Sequence, residues 1–367
     1  MTLSPQRLST LYNRCNPDEP LIPGDDRLVD LDRPIDGQPS PRGARWAERI
    51  VRRITRASEA PQVILFSGLR GSGKTTELGR LAGMLACDGY LPAITSADDS
   101  ISLDQPIDLP DLLLPLLHGT ESALHKSLAP GDVMGEATRR AVLWLTARDT
   151  ALAQLAVGLA YDWDQPGATS ARFVADLKTN ASLRDRVRKA VSANLTGFRE
   201  EVRGAFLALD AQAKAEHPLG LVVILDSLEK LRGTGGNDAA VFSSLQRLFT
   251  SGEQYLQLPV HALYTVPPEL LLRLRAKVDF IPMVKLHDLY GNRHEPGYAA
   301  MRSLVEHRVG PDDLRALFGA DVGLCVERII TASGGYPREL IRLLQEMIFA
   351  ADPAVPLLER LRFLTIA

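Results

Sequence analysis

Three cysteines in 367 residues, Cys15, Cys87 and Cys325, are too few and too widely spaced for a disulfide framework or a zinc knuckle, and a reducing cytoplasm suits them best. The seven histidines show no ligand spacing either. No stretch approaches the ~18 uncharged apolar residues of a membrane helix. The nearest, Ala141 to Trp163, is interrupted by Arg148 and Asp149, so no membrane partner is expected. Met1 to Leu21 lacks a basic segment followed by an apolar one, and no secretory signal is expected there. Excess charge is missing as well: 42 Lys and Arg against 45 Asp and Glu leave a net charge of −3, which gives no global footprint for DNA or RNA. What the chain does have is length, 367 residues, enough for two domains or one large domain with an appendage, and a 45% hydrophobic content that suits an ordinary core.

The strongest local signal is Val63-Ile64-Leu65-Phe66-Ser67-Gly68-Leu69-Arg70-Gly71-Ser72-Gly73-Lys74-Thr75, an apolar run that feeds into G-x-x-x-x-G-K-[ST]. This spacing predicts a phosphate-binding loop between a strand and a helix. Glycines let successive N–H groups point into one concavity, Lys74 reaches the β- and γ-phosphates, and the Thr75 hydroxyl ligates Mg²⁺. Gly68, Arg70, Gly71, Ser72, Gly73, Lys74, Thr75 and Thr76 are the candidate binding residues for a nucleoside triphosphate. Helical spacing of apolar residues from Thr76 to Leu85 supplies the following helix.

Along the chain, residues 1–41 read as an extended arm, because Asn16 to Pro41 is rich in Pro, Asp and Gly. Arg42 to Arg56 reads as a basic amphipathic helix, Tyr90 to Thr95 as a strand and Asp111 to His118 as a helix, within a first core segment 42–119. Residues 120–217 are helical in pattern with no good strand, a helical insertion. The core resumes over 218–290 with strands at Leu221 to Asp226, Pro259 to Val266 and Phe280 to Leu286, and a helix-like Pro268 to Arg275. Residues 291–367 form a helical lid, with helices at Tyr298 to Val309, Pro311 to Phe318, Val322 to Ala332 and Pro337 to Ala350. The expected fold is therefore α/β, a parallel sheet of about five strands with a long helical insertion and a C-terminal helical lid.

Asp226 ends a buried-strand pattern, where a P-loop NTPase holds Mg²⁺, so Thr75 and Asp226 are the metal candidates; a strand-end turn residue is the alternative. Glu229, three residues on, is placed to act as general base or to orient water, or else is a solvated residue at a helix start. Thr265 stands near the end of the next strand. In Ser333-Gly334-Gly335-Tyr336-Pro337-Arg338 the glycines end one helix and Pro337 starts another, which fixes Arg338 on a first helical turn.

This order of motifs resembles the AAA+ ATPases, most closely the initiator-like and STAND-type branches. The resemblance covers roughly 42–118 and 221–350. It implies Walker A at Gly68 to Thr75, a variant Walker B at Leu221 to Asp226 with Glu229 displaced from its usual place directly after the aspartate, sensor 1 at Thr265 and sensor 2 at Arg338, for which a lid-surface arginine paired with a nearby carboxylate is the alternative. Arg273 and Arg275 occupy the stretch where the family carries an arginine finger that enters a neighbour's site, although a solvated helix end suits them equally. The nucleotide implied is ATP with Mg²⁺, and ATP hydrolysis is the implied reaction. Local phrasing, Glu19 to Arg27 and Leu65 to Gly71, is similar to bacterial ATPases of genome-defence and conflict systems, which implies an antiviral context.

Little sequence follows Ala350, so the expected role is a cytoplasmic switch that forms a homo-oligomer with ATP and acts on a separate effector protein. An alternative is a DNA-binding ATPase of the initiator or transposition sort, with Arg184, Arg186, Arg188 and Lys189 and also Arg49, Arg52, Arg53 and Arg56 as its footprint. A third is a nucleotide-dependent scaffold with negligible turnover, using an apolar stripe of Leu152, Leu155, Val157 and Leu159.

Overall fold

The computed structural model describes residues 3–34, 39–57, 60–127, 134–234, 236–274 and 276–351. In chain order the first elements are α1 (Pro5–Arg14), α2 (Trp46–Arg56), β1 (Val63–Gly68), α3 (Lys74–Cys87), β2 (Tyr90–Ser96), α4 (Ala97–Ser100) and α5 (Leu109–Ser127). Then come α6 (Glu136–Thr146), α7 (Thr150–Gly158), α8 (Pro166–Thr179), α9 (Ala181–Ala193), α10 (Leu195–Ala213), β3 (Gly220–Asp226) and α11 (Asp238–Thr250). The last are β4 (His261–Thr265), β5 (Val278–Ile281), α12 (Glu295–Val309), α13 (Pro311–Phe318), α14 (Val322–Ser333) and α15 (Pro337–Ala350).

The strands form one parallel sheet in the order β2-β3-β4-β1-β5, so the fold is α/β. Every residue of β3 and β4 is buried, and their middles, Leu221–Leu225 and Ala262–Tyr264, are apolar because both faces are covered, as parallel strands require. Pro92 lies in β2, an edge strand, where a missing ladder donor is tolerated. The last strand is shorter than the sequence predicts: β5 stops at Ile281, immediately before Pro282, rather than running from Phe280 to Leu286.

The chain divides into two compact units. One comprises Val51–Ser67 and Ala82–Asp279, and holds most of the sheet together with α4 to α11. A single apolar core joins its strands to its helices, from Leu221, Val223 and Leu225 of β3 to Leu114, Phe173, Phe198 and Phe206. α5 runs from Leu109 to Ser127, longer at both ends than the predicted helix and straight across residue 120. Glu121 on α5 explains part of this packing. Its buried carboxylate accepts from the amides of Ala137 (2.6 Å) and Thr138 (3.1 Å), capping α6, whose own cap residue is the side-chain-less Gly135. α7 and α9 are capped by Asp149 and Asn180, which accept from the Leu152 and Leu183 amides.

The other unit is built from Met1–Ile50, Gly68–Leu81 and Phe280–Ala367. Its core sets Leu8 and Leu11 of α1 against Met301, Val305, Ile330, Leu340 and Leu344 of the C-terminal helices. The arm is thus not extended throughout: Ser4 caps α1, Pro5 begins it, and Leu8 and Leu11 bury one stripe. The predicted helix over 42–56 starts only at Trp46. No helix among the described residues is long and apolar enough to cross a membrane.

Cys15 is buried in this second core, and burial pushes its thiol up to about 12, whereas Cys87 is exposed. A disulfide reagent at neutral pH should therefore modify Cys87 in the native protein and Cys15 only after denaturant is added, which mass mapping of the labelled peptides checks.

Candidate functional site

β1 delivers the chain to Gly68, and α3 begins at Lys74, so the loop between them is strand–turn–helix as its motif requires. Gly71 (φ 85°) and Gly73 (φ 83°) lie in the left-handed region, where an L side chain would be strained. The Lys74 ammonium is buried and donates to the carbonyls of Gly68 (2.9 Å) and Leu69 (3.2 Å), crossing over its own loop. Ser72 is buried, Arg70 and Thr75 are exposed, and the Thr76 hydroxyl accepts from the Leu21 amide at 3.3 Å. A helix N-terminus, two glycines in the left-handed region and a lysine folded into the loop together fit an oxyanion such as a phosphate.

Arg338 belongs to the same unit and meets this loop through its backbone. Its amide donates to the Gly71 carbonyl at 3.3 Å, and a Cβ placed on Gly71 would come within 3.3 Å of the Arg338 Cβ. That approach is possible because Gly334 and Gly335 take positive φ before Pro337 starts α15. The guanidinium points elsewhere: Nε donates to the Pro17 carbonyl at 3.2 Å, and Asp18 lies 3.8 Å away.

The other predicted residues lie in the sheet-bearing unit. Asp226 ends β3 in register with Ser96 of β2, and Thr265 ends β4 in register with Phe66 of β1. β4 separates β3 from β1, so the aspartate strand is one strand removed from β1, and Thr265 stands between the two. Ser227 takes the left-handed conformation (φ 71°, ψ 12°), unusual for a non-glycine residue and costing about 1–2 kcal/mol. Its amide donates to Asp226 Oδ1 at 2.7 Å. The chain then turns through the 3₁₀ segment Leu228–Lys230, which carries Glu229, half-buried, while Lys230 pairs with Asp98. The buried Thr265 hydroxyl accepts from the Leu228 amide (3.1 Å) and donates more weakly to the Leu225 carbonyl (3.4 Å). Thr265 therefore staples β4 to the turn that presents Glu229.

Arg273 is not at a helix end. Pro268–Leu270 is a single 3₁₀ turn rather than a helix reaching Arg275, and Arg273 reaches back to α11. There it donates to Gln246 at 3.0 Å and lies over the Phe242 ring. Arg275 falls outside the described residues. The three arginines of the α9 cluster are engaged internally, while Lys189 is exposed: Arg184 donates to the Lys178 carbonyl, Arg186 pairs with Asp149, and Arg188 pairs with Asp111. Arg53 of α2 pairs with Asp279 at 3.0 Å. In α7 the apolar stripe packs on its own unit through Leu152, Leu155 and Leu159, leaving Val157 80% exposed.

Two features escape sequence reasoning. Ser227 carries no glycine to flag its backbone, and Arg42, placed by its neighbours on a basic helix, is instead buried with Asp32, Glu77 and Arg80 behind the loop. Comparison with protein families, with curated proteins and with solved structures gave no match.

Proposed function

We propose that this chain binds ATP and works as an AAA+/STAND-like nucleotide switch that acts on a separate protein. The observation that supports this most is the loop from Gly68 to Lys74, with Gly71 and Gly73 in the left-handed region and Lys74 opening α3. Lys74 exchanges loop carbonyls for phosphate oxygens and supplies the compensating charge. Thr75 and Asp226 would hold Mg²⁺, which shields phosphate charge during hydrolysis. Glu229 is the acceptor for a proton from attacking water, and the Ser227 turn and Thr265 staple fix where it sits. Arg338, its amide already on the loop, is the lid residue best placed to report what the loop holds. Assembly with ATP, an effector partner, a cytoplasmic setting and a role in bacterial defence are proposed with it, from the family resemblance. The DNA-binding alternative loses weight because the arginines of α9 are engaged within the molecule.

The test is titration calorimetry of the purified chain with Mg-ATP, Mg-GTP and tripolyphosphate, with phosphate release followed in parallel. Micromolar binding of ATP, weaker binding of GTP and a dependence on Mg²⁺ are the expected results. No binding of any of the three at millimolar concentration would remove the reading.

A further inference from the structure

Arg42 is buried, with a side chain 0% exposed, and its guanidinium lies against the glycine-rich loop: a Cβ placed on Gly73 would come within 3.9 Å of its Nη2. Its Nη1 donates to Glu77 Oε1 at 2.7 Å, on the first turns of α3, and its Nη2 donates to the Ser72 carbonyl at 2.7 Å. Asp32 lies 3.6 Å from Nη1. Arg80 closes the cluster from outside, donating to Glu77 at 2.8 Å and to Asp32 at 2.7 Å. Two guanidiniums thus alternate with two buried carboxylates, which compensates charge that would otherwise be costly to bury. Burial pushes the Asp32 carboxyl up to about 6, with Glu77 adding to the effect and the two arginines opposing it.

Charge compensation alone does not call for the bond to Ser72. In a trans peptide the carbonyl and the following amide point in opposite directions. Holding the Ser72 carbonyl on Arg42 therefore aims the Gly73 N–H away from Arg42, and fixes the peptide plane at one of the two glycines on which the loop shape depends. Lysine could supply the charge but not the planar fork that spans a carbonyl and a carboxylate at once.

We propose that Arg42 is a positioning residue for the phosphate-binding loop: supplied by the segment before α2, it sets the orientation of the Ser72–Gly73 peptide and so the affinity of the loop for polyphosphate. This inference rests on the nucleotide reading above.

The experiment compares Arg42→Lys with Arg80→Ala, using tripolyphosphate and Mg-ATP as titrants and thermal unfolding of the ligand-free proteins as the stability readout. Arg80→Ala strips ion pairs from the same cluster but leaves the bond to Ser72, so it should lower the melting temperature with affinity unchanged within about twofold. Arg42→Lys should weaken both titrants by about tenfold or more, the loss of one charge-assisted hydrogen bond in the binding-competent loop. Unchanged affinity in Arg42→Lys, or an equal loss in Arg80→Ala, would overturn the proposal and leave Arg42 a core residue only. If Arg42→Lys does not fold, Glu77→Gln loosens the guanidinium without removing it: weaker tripolyphosphate binding supports the proposal, and wild-type binding overturns it. Absence of binding by the unmodified chain is a different result, which removes the nucleotide reading and this inference with it.

Discussion

Lys74→Ala is expected to lower ATP affinity by about a hundredfold or more while the protein stays folded. The Lys74 ammonium is the cation held inside the Gly68–Lys74 loop, donating to two of that loop's carbonyls. A phosphate competing for it gains charge-assisted hydrogen bonds worth about 1.5–3 kcal/mol each, and two of them account for the hundredfold. The fold should tolerate the loss, because the bonds to the Gly68 and Leu69 carbonyls lie within the loop itself and hold no element of either apolar core. The variant's melting temperature should fall by a few degrees at most, and calorimetry with Mg-ATP reads the affinity directly. Wild-type affinity in Lys74→Ala would disconnect the loop from nucleotide.

Glu229→Gln should keep ATP affinity close to that of the unaltered chain but slow phosphate release by about a hundredfold or more, the scale on which a positioned general base contributes. The substitution preserves size, and the turn that carries residue 229 is held by backbone geometry at Ser227 and by the Thr265 hydroxyl, neither of which it disturbs. The variant should therefore trap the ATP state. Light scattering on it with ATP, with ADP and without nucleotide then asks whether that state assembles. A defined larger mass with ATP alone supports the switch, whereas unchanged hydrolysis takes Glu229 out of the mechanism, and an unchanged mass despite bound ATP counts against self-assembly.

The strands and the C-terminal helices were legible because their signals are local. β3 is an apolar, β-branched run bounded by Gly220 and Asp226, and the break between α14 and α15 is written in Gly334, Gly335 and Pro337. Local composition misled at α1 and at residues 268–275. The Pro- and Asp-rich stretch after Asn16 hid a capped, amphipathic first helix, and the apparent helix after Pro268 closes after one 3₁₀ turn. Thr265 and Arg338 were picked out by their place in the motif order and Arg42 was not, and the hydrogen-bond partners of all three stayed hidden. Thr265 bonds to Leu228 and Leu225, Arg338 to Pro17, and Arg42 to Ser72, contacts between residues from 30 to 321 positions apart. Side-chain type and spacing carry no record of such pairs, which the tertiary fold alone brings together.

The sheet order has a consequence for the life of the chain before it is folded. β2 and β3 pair along their whole lengths, yet residues 97–219 are made between them. At about 5–20 residues per second, synthesis leaves β2 waiting roughly 6–25 s for its neighbour. During that interval one entire rail of backbone donors and acceptors stands open beside apolar side chains such as Leu91 and Ile94. Helices α5 to α10 emerge in the meantime, and α5, which packs on β2 in the finished protein, is available to cover the apolar face of that strand while its rail waits for β3. Early packing of α5 on β2 would then bury apolar side chains that otherwise stand exposed beside an unpaired strand edge.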